Sequence, residues 1–339
     1  MSRTVNLGIL GTGLMGTALA HAAAGTGLGR VVSALGSNSE KTTAFADEFG
    51  ARLALNMDDL LADTKLDAVM VALPPSLHRE SVVMAAEAGK HVFVEKPMAL
   101  SVNDCDAMLR SVREAGTTLM VGHVLRYYEP FRTILRWSAE GRLGAVLHAA
   151  IWRVGDGSYT KLTPWRASRA LSGGYLYEVG SHELDFLRCL IGEPVVVHAS
   201  VKEHKSAGHE IEDVVSMHVD FGSGVAATYL GGTGFATSDY GFCLRFEDAV
   251  IRARAPFCTD SLAVDTAHGV MIDVSEIRFG RVDPLVEEMR SWLESILLGT
   301  QPPITGEDAR KTIALVESAY RSATELDAVN TRMIDNEDR

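Results

Sequence analysis

Cysteine is scarce in this chain. Its 339 residues hold four (Cys105, Cys189, Cys243 and Cys258), and no two stand at Cys-x-x-Cys spacing. Neither a disulfide framework nor a zinc site is indicated, and isolated thiols of this kind are usually small core hydrophobes. Excess positive charge is also missing: 32 Lys and Arg against 44 Asp and Glu give a net charge of −12. Nucleic acids and anionic membranes are held by basic surfaces, so neither is expected as a partner. No apolar run approaches the roughly 20 residues of a membrane helix. The opening Met-Ser-Arg-Thr-Val-Asn enters strand-like sequence at once, without the layout of a signal peptide, so a reducing cytoplasm is the expected location. Internal repeats and low-complexity segments are lacking too. What remains is the composition of a soluble globular protein, 47% hydrophobic and 22% charged, long enough for two domains with separate cores.

Two kinds of periodicity divide the chain. Up to residue 124, short apolar runs alternate with helical patterns, as in βαβ units. Val5–Leu10, Val31–Leu35, Ala68–Leu73, His91–Val94 and Thr118–Val121 read as buried parallel strands. Leu14–Ala24, Glu40–Phe49, Ser76–Ala88 and Asn103–Ala115 read as helices, the last with Ser101 as N-cap. After Gly122 the strand-like runs, including 145–155, Val214–Phe221, Val225–Leu230, Phe242–Phe246 and Ala249–Ala253, are separated by short Gly- or acid-containing turns. That is the mark of antiparallel pairing. Two helices, Pro284–Leu298 and Gly306–Leu326, close the chain, and the tail from Asn330 is expected to fray. The expected architecture is an α/β Rossmann domain over 1–124, then an α+β domain over 125–339 with a large, mostly antiparallel open sheet.

Gly11, Gly13 and Gly16 form G-x-G-x-x-G directly after the first strand and before a helix. In that context the spacing indicates a dinucleotide turn: Gly11 for the tight bend, Gly13 for backbone approach to a pyrophosphate, Gly16 for close helix–strand packing. Thr12, Leu14 and Met15 complete the turn, whose helix N-terminus offers N–H groups to phosphate. An acid that would bind the ribose 2′-hydroxyl of NAD is absent, since Leu35 is followed by Gly36, Ser37, Asn38, Ser39, Glu40 and Lys41. Hydroxyls, free backbone at Gly36 and Ser37, and Lys41 tolerate a 2′-phosphate, which favours NADP over NAD as cofactor. Further on, Leu73-Pro74-Pro75 must leave the sheet at its carboxyl edge, where ligands of open α/β sheets sit. His78 either faces the cofactor there or caps the following helix.

Glu95-Lys96-Pro97 follows the fifth strand at the same edge. A lysine beside bound cofactor and partly dry suits proton transfer, although an isolated Glu-Lys-Pro would equally be a strand-end charge pair. In the second half, Gly173-Gly174 precedes Glu178, His182 and Asp185 at i, i+4 and i+7, which in one helix would share a face.

These motifs, with Gly122-His123 and a closing Asp283-Pro284…Ala319-Tyr320-Arg-Ser322, resemble in order and spacing the glucose–fructose oxidoreductase / inositol dehydrogenase / rhizopine catabolism (Gfo/Idh/MocA) family over nearly the whole chain. The resemblance implies a Rossmann domain, a second domain whose open sheet makes homodimers or homotetramers, and oxidation or reduction at a hydroxyl carbon of a sugar or cyclitol. It implies that Lys96 hydrogen-bonds the reacting oxygen and that His182 is its acid/base. Glu178 stands where inositol dehydrogenase-like members usually carry aspartate, one methylene shorter. Asp185 braces the helix or fixes a neighbouring tautomer. The resemblance also places Trp165 and Arg166, like Glu95 and His123, near the cofactor, while Arg126 and Tyr177 are candidates to face the substrate. Tyr175 and Tyr177 read equally as core, and Trp165-Arg166 equally as loop packing with a salt bridge.

His198, His204, His209 and His218 lie among Glu203, Glu210, Glu212 and Asp213, but no pair shows metal spacing, and no metal is expected. The resulting expectation is an NAD(P)-dependent dehydrogenase or reductase of a polyol-like small molecule. Two alternatives remain, an NAD-dependent glycosidase of the same family and a non-catalytic cofactor-binding regulator.

Overall fold

A computed structural model of the chain describes residues 3–37, 39–158, 160, 163–203, 210–258 and 261–334. They group into two compact units, Met1–Val124 with Val282–Arg310, and Leu125–Arg281 with Lys311–Arg339.

The first unit carries a parallel sheet of β1 (Val5–Leu10), β2 (Gly29–Leu35), β3 (Arg52–Leu53), β4 (Ala68–Val71), β5 (His91–Glu95) and β6 (Leu119–Gly122), ordered β3-β2-β1-β4-β5-β6. Strands β4 and β6 are buried along their whole length, as befits a parallel sheet covered on both faces. The order reverses between β1 and β4, which makes the carboxyl edge there a topological switch point. Helices α1 (Leu14–Gly25), α2 (Ser39–Phe49), α4 (His78–Glu87) and α5 (Val102–Ala115) fall where the sequence placed them. The N-cap of α5 is as expected, with Ser101 Oγ accepting from the Asp104 N–H at 3.0 Å. Strand β3 and α3 (Met57–Leu61) are too short to show periodicity, and only the Asn56 cap, which accepts from the Asp59 N–H at 2.8 Å, announces the helix.

The chain returns to this unit near its end. Helix α8 (Pro284–Leu298) starts at the Asp283 cap, whose carboxylate accepts from the Leu285 N–H at 2.9 Å. It packs along α1, and its fully buried Trp292 lies 5.5 Å from the Phe93 ring. Burying a side chain of that kind stabilises by roughly 2–3 kcal/mol. The sequence reading grouped this helix with the second domain; its apolar stripe draws it to the first unit instead.

The second unit is built on an eight-stranded sheet, ordered β13-β12-β11-β7-β10-β9-β8-β14. Its strands are β7 (Val146–Val154), β8 (Pro194–Lys202), β9 (Val214–Phe221), β10 (Ala226–Gly232), β11 (Asp239–Phe246), β12 (Ala249–Arg254), β13 (Leu262–Thr266) and β14 (Val329–Asn330). Every neighbouring pair is antiparallel except β7 with β10. Strand β9 shows why one face is covered: Val215, Met217, Val219 and Phe221 are buried while Ser216, His218 and Asp220 are exposed. Over the covered face, Phe131 of α6 (Phe131–Ala139) meets Phe186 of α7 (Ser181–Ile191) at 4.9 Å and Phe242 at 5.6 Å. Asn330 pairs with β8, Thr331–Ile334 forms a short helical turn, and the Thr331 hydroxyl donates to the Pro194 carbonyl at 2.6 Å; the rest of the tail expected to fray lies outside the described residues. Among the described residues no helix is long and apolar enough to cross a membrane.

Candidate active site

The glycine turn gives each glycine a separate task. Gly11 has φ +96°, and a Cβ there would stand 2.3 Å from the Ala72 carbonyl oxygen. A Cβ at Gly16 would stand 1.8 Å from the Gly11 carbonyl oxygen, so helix and turn touch directly. At Gly13 a Cβ would meet nothing within 4 Å; the backbone faces open space. Helix α1 begins there without a side-chain cap and without an acidic residue in its first turn. Unanswered N–H groups and a positive dipole end therefore face that space, which fits a cofactor pyrophosphate. Leu14 and Met15 are exposed beside it, while Thr12 is buried.

At the end of β2, a Cβ on Gly36 would lie 2.3 Å from the hydroxyls of both Thr12 and Thr42, which hydrogen-bond each other at 2.9 Å. The threonine pair occupies the space in which a side chain would begin. Any carboxylate on this position would displace it. Ser37 and Lys41 are exposed on the stretch that follows.

Along the same edge, Leu73 and Pro74 are half-buried and Lys96 is partly exposed between buried Glu95 and Pro97. The Lys96 N–H donates to Glu95 Oε2 at 3.2 Å, and the Lys96–Pro97 peptide is cis. Glu95 pairs in register with Gly122 of β6, and the next residue, His123, is buried. His78 is wholly buried, with Nδ1 2.9 Å from the Pro97 carbonyl oxygen and Nε2 2.9 Å from the Leu73 carbonyl oxygen. Burial pushes its pKa below the ordinary imidazole value, against those carbonyls, which favour the charged form. Neither role weighed for His78, cofactor contact or helix cap, matches this placement.

In the second unit the Glu178–His182–Asp185 stripe is not one regular helix. Leu176–Gly180 makes a π-helical turn and α7 begins at Ser181. The wider turn changes the phase, so the i, i+4 expectation across Glu178 and His182 fails locally. Glu178 and Asp185 are buried and His182 is partly exposed between buried neighbours. Glu178 pairs with Arg166, Oε1 to Nε 3.0 Å, and the Arg166 guanidinium lies 5.3 Å from the Trp165 ring. Asp185 accepts two bonds from Arg126, at 2.7 and 2.6 Å, and one from the Thr312 hydroxyl at 3.1 Å. Asp185 is thus a brace, as expected, and it holds the Arg126 group that was expected to face substrate. Tyr177 is buried and stacks on Tyr320 at 5.8 Å.

Three residues of this region were given no site role from the sequence. Glu212, fully buried, accepts from the Tyr175 N–H and from Arg169, each at 2.6 Å. Tyr320 accepts from the Leu176 N–H at 3.2 Å. Arg153 pairs with fully buried Glu183 at 3.0 Å. Burial pushes the Tyr175 phenol up to about 12, and its hydroxyl donates to the Arg153 carbonyl. Their partners are remote in sequence, so no local pattern could disclose them. His204 and His209 lie outside the described residues; among those described, no cluster of three metal-ligating side chains occurs. His198 opposes His218 across β8 and β9, and His218 pairs with Asp220 at 3.2 Å.

Residues 5–123 match the profile of an oxidoreductase family with an NAD-binding Rossmann fold, and residues 131–252 match the GFO/IDH/MocA C-terminal domain. The chain is 28% identical over 361 residues to a 2,7-anhydro-N-acetylneuraminate hydratase of Mediterraneibacter gnavus, covering 95% of this chain and 96% of that one. It is 26% identical over 348 residues to the NADP(+)-dependent scyllo-inositol 2-dehydrogenase of Bacillus subtilis, covering 95% and 94%. Among solved structures, an aldose-aldose oxidoreductase of Caulobacter crescentus, complexed with glycerol, superposes with a TM-score of 0.86 at 27% identity, covering 97% of this chain and all of that one.

Proposed function

Because the chain belongs to the GFO/IDH/MocA family of NAD(P)-binding oxidoreductases, we propose that it transfers a hydride between nicotinamide and a hydroxyl or carbonyl carbon of a sugar, cyclitol or related polyol. The observation that carries this reading is Lys96 at the carboxyl end of β5, partly exposed, on the edge where the open glycine turn also lies. Bound nicotinamide supplies the hydride acceptor for a substrate C–H. Lys96 directs its ammonium at the reacting oxygen and stabilises the negative charge that develops there. His182 takes the proton of that oxygen. Glu178, anchored by Arg166, supports His182 or a substrate hydroxyl. Gly11, Thr12, Gly13, Leu14, Met15 and Gly16 form the phosphate turn, and Gly36, Ser37 and Lys41 favour NADP over NAD. The open face of the eight-stranded sheet serves a homodimer or homotetramer, and the protein works in the cytoplasm.

The experiment is turnover of Lys96→Ala and His182→Ala on a panel of sugars and cyclitols, beside cofactor titration. Removing one such donor costs roughly 3–4 kcal/mol of transition-state stabilisation, so Lys96→Ala should lower kcat by a few hundredfold with cofactor affinity retained. Ordinary turnover in that variant overturns the mechanism.

The relative named as a hydratase favours one second reading, since hydration by itself involves no net redox change. In that reading the same two residues serve a cycle that returns the cofactor to its starting state. Product formation with no net change in nicotinamide absorbance selects it, and a stoichiometric change selects the dehydrogenase.

A further inference from the structure

We propose that His78 is a positioning residue for Lys96, joining the turn after β4 to the turn after β5 and so fixing where the Lys96 backbone stands. The inference rests on the catalytic reading of Lys96. Its geometry lies within one compact unit. The two ring nitrogens face the Leu73 and Pro97 carbonyl oxygens, each at 2.9 Å, from a side chain with no exposed surface. Leu73 ends the run that leaves the sheet at Pro74, and Pro97 is the residue after Lys96. From the other side, the Lys96 N–H donates to the buried Glu95 carboxylate at 3.2 Å. The lysine backbone is thus held immediately before its Cα by Glu95 and one residue beyond it by His78.

The chemistry of the ring suits this task. A carbonyl oxygen only accepts, so the ring must donate toward both turns to bond both. An imidazole places its two nitrogens on opposite sides of a rigid ring, where an amide or hydroxyl side chain cannot reach in both directions. The neutral ring donates to one turn and the imidazolium to both. Burial and the Lys96 ammonium favour the neutral form, while the carbonyls favour the charged one. Loss of the ring removes the donor from the turn it serves and the rigid body that stands 2.9 Å from both carbonyl oxygens, and each turn is then free to shift. Misplacement of a catalytic group by about 1 Å costs on the order of a hundredfold in rate.

The test is a double-mutant cycle in the full-length protein, with kcat, KM and cofactor dissociation constants measured for His78→Phe, Lys96→Ala and the pair. Phenylalanine fills the ring's space and donates nothing. The expected result is a fall in kcat of roughly ten- to a hundredfold for His78→Phe, with KM and cofactor affinity within about threefold of wild type, and little further loss when His78→Phe is added to Lys96→Ala. His78→Gln, which keeps one donor, should recover part of the rate, and it carries the same cycle if the phenylalanine variant does not fold. An unchanged kcat in His78→Phe overturns the inference, as does an equal proportional loss in the Lys96→Ala background. Loss of cofactor affinity in step with rate overturns it too, because His78 would then serve the cofactor. Normal turnover in Lys96→Ala alone breaks the earlier reading instead, so the two failures are distinguishable.

Discussion

Two glycine turns of this protein, at Gly13 and at Gly174, solve opposite problems. At Gly13 the missing side chain leaves open space before the uncapped start of α1. At Gly174, with φ +105°, a Cβ would fall 2.6 Å from the Tyr320 hydroxyl and 2.8 Å from a Glu212 oxygen. The first turn withholds atoms so that a ligand's phosphates approach the backbone. The second withholds them so that the protein's own carboxylate and phenol can hold the backbone that leads into Glu178 and His182. A glycine motif therefore states only that something comes close; whether that is a ligand or a buried side chain depends on what the fold brings to it.

That contrast can be broken by adding one methyl group at each turn. Gly174→Ala should be the more damaging to the apo protein. A non-glycine residue at positive φ costs about 1–2 kcal/mol, and overlap with a buried carboxylate and phenol adds roughly 1–3 kcal/mol. A drop of several degrees in the apo melting temperature is expected; a melting temperature equal to wild type would mean that Glu212 and Tyr320 do not pin this turn. Gly13→Ala should do the reverse. Its φ of −79° suits alanine, so apo stability should hold or rise by a fraction of about 1 kcal/mol. Cofactor affinity should fall about tenfold or more, equivalent to about 1.4 kcal/mol. If calorimetric titration finds NAD(P) binding intact, Gly13 does not face the pyrophosphate.

The smallest effect sharpens the electrostatic side of the comparison. Glu276 is held by Arg142, Arg136 and the Trp137 indole, with donor distances of 3.0 and 2.8 Å from Arg142, 2.7 Å from Arg136 and 3.2 Å from Trp137. Hydrogen bonds from Arg142, then Arg136 and Trp137, lower its pKa from 4.5 to about 2. A carboxylate depressed on folding stabilises above its unfolded pKa, and that contribution disappears as pH falls through the folded value. Wild type should therefore lose stability more steeply than Glu276→Gln between pH 4.5 and about 2. Parallel acid-unfolding curves for the two proteins would remove Glu276 from the account. The phosphate turn carries no comparable acid, so nothing in it predicts a matching slope.

Much of the first unit was legible. The Gly11–Gly16 spacing, the alternation of apolar runs with helical periods and the double proline at Pro74 each act through local backbone geometry, which neighbouring residues determine. The same holds for the Ser101 cap and for the change after Gly122 from apolar runs alternating with helical patterns to strand-like runs joined by short turns. Legibility fails where one residue's setting is made by another far along the chain. His78 received two local roles and has neither, because the Pro97 carbonyl that engages it lies 19 residues away. The regular stripe expected of Glu178, His182 and Asp185 is broken by a π turn in a segment pinned from Tyr320 and Glu212. Arg126 was expected to face a substrate, yet Asp185, 59 residues on, holds its guanidinium. Nor could periodicity say that α8 would return to cover α1, since an amphipathic stripe specifies burial and not the surface against which it is buried.

By itself the sequence determined the order and type of the longer elements of the first unit, the division into a parallel and a mostly antiparallel sheet, and the turn built to receive a dinucleotide. These follow from dihedral preferences and hydrophobic periods, which act over a few residues. Only the tertiary structure decided which charges pair with which, what fills the space at Gly36 and Gly174, and which buried ring stands behind Lys96. Such contacts depend on through-space distance between remote segments, and the free energy of a buried polar group is set by the partner that happens to reach it.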